Sequence, residues 1–123
     1  MYDSIEFVEA DLLSKDALFK AIEGVSYIIH VASPLPGATK LTEDQMIIPA
    51  TEGMKTILEA AKLYKVKKII VTSSLATMVG GVWKRNTGDN HYSEKDFAPV
   101  DGADGYGRSK IWQEKVIREF IDK

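Results

Sequence analysis

An α/β domain built around a parallel sheet is the fold class this sequence predicts, and three observations carry the prediction. At 123 residues the chain has room for one domain. Apolar, strand-like runs alternate with segments whose apolar residues recur at helical spacing. Each run stops at a turn signal or a polar residue rather than folding back directly on its neighbour. The order is β-α-β-α-β-loop-α, and strands separated by helices imply parallel pairing, right-handed crossovers and helices on the sheet faces.

The first run, Ile5-Glu6-Phe7-Val8-Glu9-Ala10, alternates apolar with polar, stops at Asp11 and reads as a strand. Ser14 or Asp16 can cap a helix over 17–22 that ends at Gly24. Val25-Ser26-Tyr27-Ile28-Ile29-His30-Val31-Ala32 is a second, more buried strand, ended by Ser33-Pro34-Leu35-Pro36-Gly37, where proline cannot continue a ladder. A long helix follows from about Thr42 to Tyr64, with Thr42 as N-cap and Glu43-Asp44 in the first turn. Pro49 lies inside it, which predicts a kink or a break. Met54, Ile57, Leu58 and Ala61 share its apolar stripe. Lys67-Lys68-Ile69-Ile70-Val71-Thr72-Ser73 is the third strand. The glycine-rich stretch 80–105 reads as a long loop, a kind of segment that is usually functional or disordered. A last helix runs from about Arg108 to Ile121.

Composition excludes several classes. The hydrophobic fraction is 45%, the charged fraction 28% and the net charge −2, with no block of like charge. Neither a nucleic-acid surface nor a polybasic membrane patch is expected. The longest apolar runs are a few residues, too short to span a bilayer. Met1-Tyr2-Asp3-Ser4-Ile5-Glu6 lacks the basic and apolar regions of a signal peptide. The absence of cysteine rules out a disulfide framework, thiolate metal ligation and a cysteine nucleophile. A cytoplasmic domain is the expectation.

Open parallel sheets bind ligands beyond the carboxyl ends of their strands. That rule selects Asp11-Leu12, Val31-Ala32-Ser33-Pro34 and Thr72-Ser73-Ser74, which should line one edge. The chemistry concentrates in Tyr106-Gly107-Arg108-Ser109-Lys110. A Tyr and a Lys four apart at a helix start share a face, one turn apart. A phenol with an ordinary pKa of about 10 is a poor proton carrier at neutral pH, and a neighbouring ammonium stabilises its phenolate and makes it useful. The spacing alone is common: Tyr64 and Lys68 share it, but they straddle a helix end and a strand and so cannot share a helical face. Tyr106 and Lys110 are distinguished by the serine pair that ends the third strand upstream.

Taken together, Ser74, Tyr106 and Lys110 resemble the catalytic triad of the short-chain dehydrogenase/reductases. Phe7-Val8-Glu9-Ala10-Asp11-Leu12 is similar to the third strand of the extended branch, the NAD-dependent epimerase/dehydratase superfamily, whose Asp-Leu touches the adenine. Ile29-His30-Val31-Ala32-Ser33-Pro34 resembles the fourth-strand motif that flanks the adenosine in the dihydroflavonol reductase and cinnamoyl-CoA reductase group. Val71-Thr72-Ser73-Ser74 is similar to the fifth strand, with the second serine in the catalytic place. The resemblance implies the central part of a Rossmann-type doubly wound sheet, with residues 1–123 forming a partial NAD(P)-binding domain. It also implies reduction of a ketone or aldehyde carbonyl by hydride transfer, with NADP favoured over NAD as cofactor. On this implication Tyr106 protonates the carbonyl oxygen, Ser74 hydrogen-bonds it, and Lys110 tunes Tyr106 and holds the nicotinamide ribose. Asp11, Leu12, Val31, Ala32, Ser33, Thr72 and Ser73, with Tyr106 and Lys110, would contact the cofactor.

The sequence departs from the family pattern in two places. The family opens with strand–Gly-x-x-Gly-x-x-Gly–helix, whose amides hold the pyrophosphate, and no glycines here have that spacing after a strand. Gly102-Ala103-Asp104-Gly105-Tyr106-Gly107 precedes a helix but lacks the strand, so it reads as loop. Family members also continue beyond the last helix into a sixth strand and a substrate lobe. The chain thus resembles the middle third of an enzyme. Lys55-Thr56 stands where relatives often carry Asn.

Two other readings compete with the reductase: a non-catalytic fragment or pseudoenzyme of the same fold, and a sugar-nucleotide epimerase or dehydratase. Thr77-Met78-Val79-Gly80-Gly81 and the long loop favour the carbonyl-reductase side over the epimerases. His30 reads as a packed core residue, and His91 has no ligand partners at metal spacing. Trp83 and Trp112 read as packing residues, with Trp83 also able to cover a substrate pocket. Asp89, Glu94 and Asp96 read as a solvated acidic patch. Uncovered sheet edges predict self-association.

Overall fold

The computed structural model describes residues 4–35, 37, 40–80 and 91–122. Trp83, Gly81 and Asp89 lie outside them. Two strands and four helices follow in the order α1 (Lys15–Ile22), β1 (Tyr27–His30), α2 (Glu43–Leu63), β2 (Lys68–Val71), α3 (Ala76–Val79) and α4 (Gly105–Ile121). The strands pair in parallel, with Ile28 opposite Ile69 and His30 opposite Val71. The backbone N–H of Thr72 extends the ladder by donating to the His30 carbonyl at 3.0 Å. The crossover between them is α2, as parallel pairing requires.

Strand alternation sorts the side chains onto two faces. Ile28, Ile69 and Val71 pack against a core of Leu18 and Ile22 from α1 and Met54, Ile57, Leu58 and Ala60 from α2. Val116, Ile117 and Phe120 of α4 close that core. On the opposite face Tyr27, Ile29, Val31 and Ile70 are exposed. Among the described residues, helices therefore cover one face of the sheet.

Three local expectations are corrected. Residues 5–10 form no strand, and Phe7 is 87% exposed. A strand exists only as a member of a hydrogen-bonded pair, and no described strand lies beside this segment. Of the kink or break expected at Pro49, the break is absent: helix α2 is continuous from Glu43 to Leu63. Pro costs about 3 kcal/mol in a helix interior, but Met46 and Ala50 on one side and Gly53, Met54 and Ile57 on the other are all buried, and breaking the helix would expose one of the two sets. A capping box at Thr42 and Gln45 also fixes its start. Finally, α4 begins at Gly105 rather than Arg108, with Asp104 as N-cap accepting from Gly107 N at 2.6 Å. Helix α3, a single turn closed by Gly80 at φ +74°, was not anticipated.

The early start of α4 brings Tyr106 into the helix, so that Tyr106 and Lys110 do lie one turn apart on it. Of the two glycines in this turn, Gly107 is there for contact. Helix α4 packs along α2 and against α3, and a Cβ on Gly107 would come within 2.5 Å of the Gly80 carbonyl oxygen. Tertiary packing outweighs propensity here.

Candidate active site at the carboxyl edge

The chain beyond each strand end turns sharply. After β2, Thr72-Ser73-Ser74 lead into α3, where Ser74 Oγ accepts from Ala76 N at 3.2 Å and the Ser74 carbonyl accepts from the Thr77 hydroxyl at 2.7 Å. Ser74 is thereby held by its own neighbours, half-buried, and its O–H donates to none of the described residues. Ser73 is exposed and donates to Glu114 Oε2 at 3.2 Å. After β1, Val31 and Ala32 are exposed, whereas Ser33 Oγ is buried with no partner among the described residues. An orphaned buried hydroxyl marks a place where a ligand or water completes the bonding.

Asp11 and Leu12 sit in the turn before α1. Asp11 Oδ1 accepts from Leu13 N at 2.7 Å, and the Asp11 carbonyl accepts from Ser14 N at 3.0 Å. Leu12 presses on Gly53 of α2, where a Cβ would meet the Leu12 Cβ at 3.0 Å. A side chain there would crowd Leu12, so glycine allows the close approach by which α2 backs the Asp11-Leu12 turn.

Lys110 is only 4% exposed, and its Nζ donates to the Thr72 carbonyl at 3.3 Å and to Gln113 Oε1 at 3.4 Å. Burial pushes its pKa below the ordinary lysine range. An ammonium has three N–H donors, so one remains for a further partner. Tyr106 is half-buried in the first turn of α4. Helices α3 and α4 join through Asp104 N, which donates to the Gly80 carbonyl at 3.1 Å. Ser74 at the head of α3 and Tyr106 at the head of α4 thus belong to adjoining elements.

His30 is buried as expected, but it is also hydrogen-bonded: its Nε2 lies 3.3 Å from Gln113 Nε2. Gln113 was not singled out in the sequence. The available signal was its position three after Lys110, which places a polar side chain on the buried stripe of α4. Tyr64 caps the end of α2 and packs edge-on against Phe19, while Lys68 is exposed on β2, so that second pair is structural. His91 is exposed, and no group of three or more His, Asp or Glu residues converges among the described residues. Trp112 is partly exposed beneath Lys115 Nζ, 4.6 Å from its ring centroid. Among the described residues no helix is long and apolar enough to cross a membrane.

A parallel β-α-β unit whose strand ends carry hydroxyls, with a buried lysine tied to the Thr72 carbonyl, is an α/β arrangement of the Rossmann-like class. The chain belongs to the 3-beta hydroxysteroid dehydrogenase/isomerase family, whose pattern matches residues 2–121. It is 34% identical over 119 residues to dihydroflavonol 4-reductase of Solanum lycopersicum, covering 94% of this chain and 31% of that protein. It is 32% identical to the decarboxylating sterol-4-alpha-carboxylate 3-dehydrogenase of Mus musculus, covering 96% of this chain and 31% of that protein. Its fold is similar to that of the yeast methylglyoxal/isovaleraldehyde reductase complexed with NADPH, at TM-score 0.75 and 26% identity over 91% of this chain and 36% of the other. A short-chain dehydrogenase/reductase superfamily protein from Agrobacterium tumefaciens with bound NAD gives the same TM-score at 23% identity, covering 95% of this chain and 34% of the other. The chain spans about a third of the length of the curated relatives it matches.

Proposed function

We propose that this chain carries the proton-transfer centre of an NAD(P)H-dependent oxidoreductase that reduces a ketone or aldehyde carbonyl, with Tyr106 as the acid. One observation supports the reading above the others: Lys110, one turn after Tyr106, is buried and tied to the carbonyl of Thr72, two residues before Ser74. A lysine is rarely buried without a task that repays its desolvation. The relatives it matches are, by name, reductases and dehydrogenases, and two of the similar structures hold NADPH or NAD.

The described residues fit such a cofactor in part. The orphaned Ser33 hydroxyl, the exposed Val31-Ala32 backbone and the anchored Asp11-Leu12 turn suit the adenosine half. The third N–H of Lys110 suits the nicotinamide ribose. No glycine-rich pyrophosphate cradle is found in the sequence. When bound, NADPH or NADH supplies the hydride for the carbonyl carbon. The Ser74 O–H donates a hydrogen bond to the carbonyl oxygen and orients it, and Tyr106 gives that oxygen its proton as negative charge develops. The Lys110 ammonium then stabilises the phenolate left behind.

Titration of the protein with NADPH and with NADH, followed by nucleotide fluorescence, tests the reading. Saturable binding that Lys110→Met weakens is the expected result. No binding up to millimolar concentrations would favour a non-catalytic member of the fold.

A further inference from the structure

We propose that Gln113 is a positioning residue for Lys110, and that it makes the placement of Lys110 depend on the protonation of His30. The proposal rests on the reductase reading for its consequence in turnover, but its geometry stands apart from that reading. His30, Gln113 and Lys110 are 7%, 2% and 4% exposed, so their polar atoms depend mainly on one another for hydrogen bonds. They form one line: His30 Nε2 lies 3.3 Å from Gln113 Nε2, Gln113 Oε1 3.4 Å from Lys110 Nζ, and Lys110 Nζ 3.3 Å from the Thr72 oxygen.

The chemistry of the three groups allows one assignment of hydrogens. An ammonium only donates, so the amide must turn its oxygen toward Lys110. Its NH2 then faces His30, whose Nε2 must accept, and the ring proton must sit on Nδ1. Held Lys110 and neutral His30 therefore go together. If Nε2 gains a proton, two donors face each other across 3.3 Å. Rotating the amide relieves that contact only by turning its NH2 onto the lysine ammonium. Lys110 then keeps the Thr72 carbonyl alone, and the group beside Tyr106 loses one of its two fixed points.

The surroundings favour the neutral state. The buried residues of α2 are all apolar or glycine, and Lys110 is the one charged residue on the buried side of α4. Half-buried Glu114, next along α4, accepts from Arg118 and from Ser73. Burial and the lysine charge both lower the His30 pKa from its ordinary value.

The experiment combines long-range 1H–15N NMR of the His30 ring with pH profiles of turnover, on the parent protein, Gln113→Leu and Gln113→Glu. The parent should show the Nδ1–H tautomer. Gln113→Leu, close in volume and without an acceptor, leaves His30 and Lys110 each short of a buried partner, so it should lower the melting temperature and lower kcat about tenfold or more in the folded protein, because a displaced catalytic group is costly. Carbonyl KM should move little. Gln113→Glu offers an acceptor to both partners. It should keep kcat near the parent's, turn the ring to Nε2–H or imidazolium and shift the acid limb of the profile. An Nε2–H ring in the parent, or an unchanged ring in Gln113→Glu, overturns the proposal even if Gln113→Leu does not fold. Unchanged kcat in Gln113→Leu, with Tyr106→Phe inactive, also overturns it. Full turnover in Tyr106→Phe would instead overturn the reductase reading and leave the NMR result to decide the Gln113 contact.

Discussion

Gly107 lies directly against Gly80: a Cβ on Gly107 would sit 2.5 Å from the Gly80 carbonyl oxygen and 2.8 Å from its carbonyl carbon. Gly80 closes α3 in a left-handed conformation that suits glycine, and its carbonyl also accepts from Asp104 N. The first turn of α4, and with it Tyr106, is seated on this contact.

Gly107→Ala therefore pushes backbone on backbone and should cost roughly 1–3 kcal/mol in urea unfolding, the usual range for overpacking. Gly105→Ala is the contrast. Its new Cβ would meet the terminal Met46 methyl at 2.6 Å, the free end of a flexible side chain that can swing aside. Alanine is also the better helix former by about 1 kcal/mol, so Gly105→Ala should be neutral or stabilising.

Acid should weaken the fold through His30. Burial, then the Lys110 charge, lower its folded-state pKa below 6.5, so between that pKa and 6.5 the unfolded chain binds the extra proton. Stability falls as pH drops through this window and levels off below it. Unfolding free energies measured from pH 7 to 5 should show the slope in the parent and a shallower one in His30→Asn.

Self-association is expected from the open face of the sheet. Ile29 is 71% exposed, and Ile70, Tyr27 and Val31 lie beside it. Both edges of the two-stranded sheet are also unpaired among the described residues. Sedimentation should find oligomers in the parent, and Ile29→Lys with Ile70→Thr should shift it toward monomer. A monomeric parent would count against this face as a contact.

The parts of the fold that were legible in the sequence are those whose signal is local. Tyr27–His30 and Lys68–Val71 lie in largely apolar runs with turns on either side, and Thr42 announces α2 as its N-cap. The failures depended on partners distant in sequence. Residues 5–10 alternate correctly, but alternation supplies no neighbour to hydrogen-bond. Pro49 and the glycines at 105 and 107 carry unfavourable propensities that burial and close contact override. At the edge, Tyr106 and Lys110 stand out by their spacing along a helix, and the resemblance to the short-chain dehydrogenase/reductases adds Ser74; their roles belong to the proposed function. Gln113 does not stand out, because its role appears only when β1 brings His30 beneath α4.

The central claim is that Tyr106 supplies the proton, and one comparison tests it most directly. NADPH-dependent carbonyl reduction is measured for the parent, Tyr106→Phe and Tyr64→Phe, the last sharing the Tyr-x-x-x-Lys spacing on the wrong elements. Tyr106→Phe should lower kcat by about 10² or more with its melting temperature kept, as expected for loss of a general acid, whereas Tyr64→Phe should leave turnover unchanged. Turnover that survives in Tyr106→Phe and is lost in Tyr64→Phe would contradict the account.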